Sequence, residues 1–286
     1  MWKKRRVYAK LWSALPEGNF TTFALYHLSA MLLLRPFFQL FWIGACALAM
    51  LWQTRLLVPD PTPSNWLAGF VFSATVFGYN FAASRWRRRG AWGIGFIGAW
   101  CFWHLSLAQQ TGAIIPVLIW LLYYDIRHPE RAGLRKYPAL KPVAIAVAWA
   151  WVTVLLPLPI NYWAHAAVLF CGRAAFIFAL ALAYDLCDRA YDRRQGFVTL
   201  VLQLGPRNTF RLIDAALLLS AVCCFLNFAL GYYSSISAVA LLISLMISRL
   251  AIRTWAATIA WGDWRKVAID GLMVLQMMLV WISGRI

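Results

Sequence analysis

Long apolar runs, each closed by basic or turn-forming residues, recur along the whole chain. A helix needs about 20 mostly apolar residues to cross ~30 Å of hydrocarbon. On that template the pattern predicts nine spans: Arg35 to Trp52, Trp66 to Ser84, Trp92 to Leu107, Ala113 to Tyr124, Ala139 to Leu156, Ala164 to Tyr184, Leu212 to Leu230, Ile236 to Ile252, and Val267 to Ser283. The fourth is short, roughly 18 Å at 1.5 Å per residue, and is expected to extend back into the Gln109–Gly112 turn as a tight hairpin with the third. Residues 1–34 are read as a cytoplasmic or interfacial segment of a single domain spanning 1–286. Within it Val7 to Leu15 is expected to lie at the headgroups with Trp12, and Pro16, Glu17, Gly18 and Asn19 interrupt before any signal-like apolar run.

Charge then tests the topology. With the N-terminus in the cytoplasm, every Lys and Arg except Arg55, Arg173 and Arg285 falls in a segment on the cytoplasmic side. A wrong number of spans would scatter these charges over both faces, so the positive-inside bias supports nine helices with the C-terminus outside. The implied location is a bacterial inner membrane. Composition agrees: 63% of residues are hydrophobic and 13% charged, against about 25% charged in soluble domains. The net charge of +17 is therefore topogenic rather than a nucleic-acid footprint. A soluble enzyme, a DNA binder and a disulfide-stapled secreted domain are excluded. The six cysteines show no metal-ligand spacing and are read as packing residues.

Chemistry gathers at one place. Asp185, Asp188 and Asp192 follow the sixth apolar run, and at 100° per residue they fall within about 60° of one another on one helix stripe. Clustered carboxylates repel unless a cation neutralises them. Mg²⁺ takes one or two carboxylates with substrate phosphates and waters, so a metal bridging the stripe to a diphosphate is one reading. A solvated helix end paired with Arg189, Arg193 and Arg194 is the other.

The run Asp185-x-x-Asp188-x-x-x-Asp192-x-x-x-Gly196-x-x-Thr199-Leu200, with Leu204-Gly205 after it, resembles the second aspartate-rich motif of the UbiA superfamily of intramembrane prenyltransferases. Arg35-Pro36 at the start of the first span is similar to that family's N-terminal region, and the likeness covers essentially the whole chain. It implies an all-α membrane protein, a bundle of nine transmembrane helices around a cytoplasm-facing cavity. It also implies one Mg²⁺ at most, held by Asp185, Asp188 and Asp192. The family's first motif departs here: Asn80 matches its Asn, but Phe81, Ser84 and Arg88 stand where aspartates would be, and no acidic residue occurs between Asp60 and Asp125. CDP-alcohol phosphotransferases also use Asp-x-x-Asp, but Arg189 follows Asp188 here and the rest of their pattern is absent.

Two consequences compete. Arg85 and Arg88, beside Asn80 and Ser84, could bind phosphate directly as guanidinium forks in place of one metal; otherwise these arginines are topogenic and the ionisation chemistry is lost. Arg173 lies within a span, ~18 Å from Asp185 along an ideal helix, and is expected to face the bundle interior as a pocket or pairing residue. The basic loop from Asp125 to Lys141 is either a lid carrying Arg127, Arg131 or Lys136 to phosphate or a topology signal. Asp270 is read as interfacial, and His27, His104, His128 and His165 as packing or interfacial residues. The leading expectation is a divergent prenyltransferase that joins an isoprenoid diphosphate to a hydrophobic or aromatic membrane acceptor, with Asn80, Ser84, Arg85, Arg88 and Arg173 binding substrate. The alternative is a catalytically inactive subunit that binds lipid or pigment, or scaffolds protein partners.

Overall fold

A computed structural model describes residues 41–58, 64–81, 85–123, 137–158, 163–257 and 264–285. The chain divides into Met1–Phe41 and Trp42–Ile286, and the description below concerns the second unit. The segment 1–34, Arg35, Ser84, Arg127, Arg131, Lys136, His27 and His128 lie outside the described residues, and the side chains of residues 85–91 do as well.

Nine helices run through the described residues: α1 Phe41–Leu57, α2 Asn65–Phe81, α3 Arg85–Trp103, α4 Leu107–Tyr123, α5 Leu140–Ala150 continued by a π turn Trp151–Leu155, α6 Trp163–Gln195, α7 Leu200–Ala229, α8 Ser235–Ala257 and α9 Trp264–Ser283. Each corresponds to one span expected from the apolar pattern. Four, α6 to α9, are long and apolar enough to cross a membrane unaided, and the other five are shorter. Because the connections are short, neighbours alternate in direction. The starts of α3, α5, α7 and α9 therefore gather at one end of the bundle with the tails of α2, α4, α6 and α8. Lys141, Arg193, Arg194, Arg207, Arg265 and Lys266 lie there, and it is called the basic end below.

The fourth helix does reach back into the polar turn, starting at Leu107. Ser106 and Gln109 explain why: Gln109 N–H donates to Ser106 Oγ and Ser106 N–H to Gln109 Oε1, each at 3.3 Å. That is a reciprocal capping box, spelled Ser-x-x-Gln in the sequence. Gln110 Nε2 in turn donates to the Phe102, Trp103 and Leu105 carbonyls at 3.1–3.3 Å, satisfying the orphan acceptors that end α3.

α6 is the central element. It packs against α5, α7, α8 and α9, and 61% of its apolar window is buried, against 33–44% for the other three long helices. A helix that is apolar all round belongs inside a bundle. Its closest approach is to α7, where Gly172 lets the two backbones meet: a Cβ there would sit 3.0 Å from Cys223 Cβ. Gly172→Leu is therefore expected to cost about 1–3 kcal/mol by overpacking. A lowered thermal midpoint in detergent, partly restored by a second Cys223→Ala change, is the check; an unchanged midpoint would mean that α6 and α7 separate freely. On the exposed flank, Asp214 of α7 pairs with Arg249 at 2.9 Å and with Arg253, both on α8. Exposed pairs of this kind contribute little, about 0–1 kcal/mol.

Candidate functional site

The sixth apolar run ends at Tyr184, yet its helix continues to Gln195 and carries all three aspartates on regular turns. At 33 residues α6 rises ~50 Å, more than the hydrocarbon thickness. Gly196 then stops it, its N–H donating to Arg193 O at 3.3 Å. Thr199 opens α7 as N-cap, with extended backbone (φ −113°) and its Oγ1 accepting from Leu202 N–H at 3.4 Å. Gly205 breaks α7 at φ 71°, ψ 166°, a left-handed value that glycine adopts without penalty, directly before Pro206. Each small or hydroxylated residue of the Gly196-x-x-Thr199 and Leu204-Gly205 signature thus has a local mechanical job: one stop, one cap, one kink. Together they return the chain into the bundle one turn past Asp192.

The aspartates sit at the basic end. Asp185 is 3% exposed and Asp192 6%, both on the buried face of α6. Two lysines from other helices meet the stripe. Lys141 in the first turn of α5 pairs with Asp185 Oδ1, and Lys266 in the first turn of α9 lies 2.5 Å from Asp188 Oδ1. Lys266 also rests over the Tyr184 ring, 4.9 Å from its centroid, a cation–π contact that fixes the ammonium. Asp188 and Lys266 side chains are about a quarter exposed, so this pair faces the opening of the site. Asp185 and Asp188 are thus held by lysines brought from α5 and α9. Along the sequence both lysines read only as topogenic charge, and no spacing along the chain marks them, because the contact is made by tertiary packing.

Asn80 lies at the same end of the bundle, 5% exposed. Its Nδ2 donates to Val76 O at 2.6 Å, within its own helix. Arg85 and Arg88 stand in the first turn of α3, again at the basic end. Asp270 follows Lys266 by one turn on α9, and its backbone carbonyl accepts from Cys46 Sγ at 3.3 Å.

The donor set fits a cation only in part. Among the described residues no group of three His, Cys, Asp or Glu side chains converges on one metal position. Asp185 and Asp188, one turn apart, could supply the one or two carboxylates that Mg²⁺ takes when phosphate and water complete its shell. A closed, all-protein cage is not built.

Arg173 lies elsewhere. It is 4% exposed in the middle of α6, and its partners are neutral. Nη1 donates to Met50 O at 2.8 Å and to Thr153 Oγ1 at 3.2 Å, and Nη2 to Thr54 Oγ1 at 3.3 Å. Thr54 Oγ1 donates on to Thr153 O at 2.7 Å, a carbonyl of the π turn. One guanidinium thereby ties α6 to α1 and α5. Thr54 and Thr153 carry no signal in the sequence that would have identified them. The two described histidines behave as packing groups: His165 stacks on Tyr232 at 4.4 Å and His104 on Trp66 at 4.3 Å.

No protein-family model matches the chain, and no curated protein does. Among solved structures, that of a digeranylgeranylglyceryl phosphate synthase in membranes, a UbiA-family prenyltransferase, is similar over 86% of this chain and 92% of that one. The TM-score is 0.53 and the identity 13%. At that identity the likeness is one of fold. The chain is an integral membrane protein with a UbiA-like helical bundle.

Proposed function

We propose that this UbiA-like membrane protein binds an isoprenoid diphosphate at its basic end and transfers the prenyl group to a hydrophobic or aromatic acceptor in the membrane. The observation that carries the reading is the convergence of Lys141 and Lys266 on the aspartate stripe of α6. Ammonium groups already held at a half-open, basic helix junction are suited to move from carboxylate to phosphate oxygens, trading one charge-assisted bond for another. Arg85 and Arg88 would add guanidinium contacts from α3, with Asn80 and Ser84 beside them. The tail would run along the apolar interior. In this reading the basic end opens to the cytoplasm of a bacterial inner membrane, with the N-terminus inside and the C-terminus outside.

One Mg²⁺ would be held by Asp185 and Asp188, with Asp192 completing the acidic stripe. When bound, it would neutralise charge on the diphosphate leaving group as the allylic carbon becomes cationic. The protein's own part is to position the diphosphate and spread its charge over Lys141, Lys266 and the α3 arginines. No residue is assigned as general base.

One observation favours the second reading, a binding subunit or scaffold without transfer chemistry: Phe81, Ser84 and Arg88 take the places where a first acidic motif would be. Diphosphate release from a panel of prenyl diphosphates by the purified, detergent-solubilised protein separates the two. Metal-dependent release that stops in EDTA and in Asp188→Ala is expected for the enzyme. Binding of the same compounds without release would establish the second reading, and neither binding nor release would end both diphosphate readings.

A further inference from the structure

A second polar feature lies away from the aspartates, in the half of the bundle opposite the basic end. A cavity of about 30 Å³ lies between α1, α6, α7, α8, α9 and the loop carrying Tyr233. Gln53, Arg173, Ser220, Asn227, Tyr233 and Gln276 line it, and all six are buried. Such a concentration of polar side chains inside an apolar bundle is costly unless each finds a partner. Several do not. Gln53 is 1% exposed, and neither its Nε2 nor its Oε1 is hydrogen-bonded; Asn227 Oδ1 is likewise unpaired. An orphaned buried polar group forfeits the hydrogen bonds it made to water, so the site favours a ligand that restores them.

The charge is also unbalanced. The three hydrogen bonds of Arg173 all go to neutral oxygens, which leaves two of the five guanidinium N–H donors. Among the described residues no carboxylate pairs with it. Asn227 Nδ2 donates to Tyr233 Oη at 3.3 Å, so the phenol proton is left to point at another acceptor. The lining is therefore rich in donors around one uncompensated positive charge. Water could pair with the amides but would leave that charge unbalanced.

We infer that this cavity is a binding site for a compact monoanionic acceptor, of halide or carboxylate size, held by Arg173 and Gln53. A single water needs about 10–15 Å³ by the same measure, so the space suits a group of two or three heavy atoms. The lining reaches Leu57 and Tyr233, toward the end of the bundle opposite the aspartates. The site is independent of the prenyl-transfer reading. Its source is either a free small anion or the carboxylate end of a lipid-like acid.

The test is thermal unfolding of the purified protein at constant ionic strength, titrating chloride, formate or octanoate against gluconate, whose hydroxylated chain neither fits the cavity nor lies in lipid as an octanoate tail does. Because Arg173 anchors three helices, Gln53→Leu is the variant of choice. Saturable stabilisation of the wild type by chloride and formate, amounting to a few degrees, with the dependence lost in Gln53→Leu, is expected for a free small anion. Stabilisation by octanoate alone, also lost in the variant, assigns the site to a lipid carboxylate. No anion dependence in the wild type, or one that Gln53→Leu leaves unchanged, overturns the inference.

Discussion

Replacing Lys141 with alanine is expected to destabilise the folded protein by about 3–5 kcal/mol, the range for removing one partner of a buried ion pair. Asp185 is the reason. Its side chain is 4% exposed and that of Lys141 17%, so the carboxylate, not the ammonium, is the group left in a low-dielectric setting when the pair is broken. Coulomb attraction inside a protein does not greatly exceed the cost of burying the two charges, whereas a buried carboxylate that loses a lysine keeps more of its desolvation penalty uncompensated. The cycle is therefore asymmetric. Lys141→Ala is the damaging single change, Asp185→Ala is milder because the lysine can turn to solvent, and the double variant recovers most of the loss. Chemical unfolding in detergent, followed by circular dichroism, gives the coupling energy directly. A Lys141→Ala protein as stable as the wild type would show that Asp185 does not depend on α5 for its charge.

That asymmetry bears on what the sequence could reveal. The apolar runs, the segregation of positive charge and the aspartate stripe are one-dimensional patterns, so the nine helices of the described residues and the placing of Asp185, Asp188 and Asp192 at a basic end of the bundle are readable. Element edges were less so. Hydropathy marks hydrocarbon, whereas helices end where backbone groups are capped. α6 runs on through Asp185 to Gln195 until Gly196 stops it, and α7 starts at Thr199–Leu200, a dozen residues before its apolar run. The Ser106-x-x-Gln109 box that starts α4 was visible but weaker than the polarity around it. Partners were beyond reach. Lys141 and Lys266 resemble any topogenic lysine until α5 and α9 are packed on α6. Arg173 attracts a search for an acidic partner, while its actual acceptors are a backbone carbonyl and two threonines. An intramembrane charge turns to the bundle interior rather than to lipid, and nothing in a sequence distinguishes a threonine that will meet it there from one that will not.

Lys266 and Asp188 should respond in opposite directions when a diphosphate binds without metal. In the folded protein the ammonium is 2.5 Å from Asp188 and over the Tyr184 ring, so phosphate must compete with that carboxylate for it. Lys266→Ala removes the cation and is expected to weaken binding of a non-hydrolysable prenyl thiodiphosphate in EDTA by tenfold to a hundredfold, since a charge-assisted hydrogen bond contributes about 1.5–3 kcal/mol. Asp188→Ala removes the competitor, so metal-free binding should tighten, while any dependence on Mg²⁺ should fall away with the lost carboxylate. The opposite signs are the point of the comparison. A purely structural Lys266–Asp188 pair would make the two variants bind equally poorly, through a shared distortion of the α6–α9 contact. Equal weakening by titration calorimetry would thus sink the claim that Lys266 is poised for phosphate. Opposite shifts, with unchanged helicity in both variants, would place a phosphate-binding ammonium and its carboxylate latch at the basic end of the bundle.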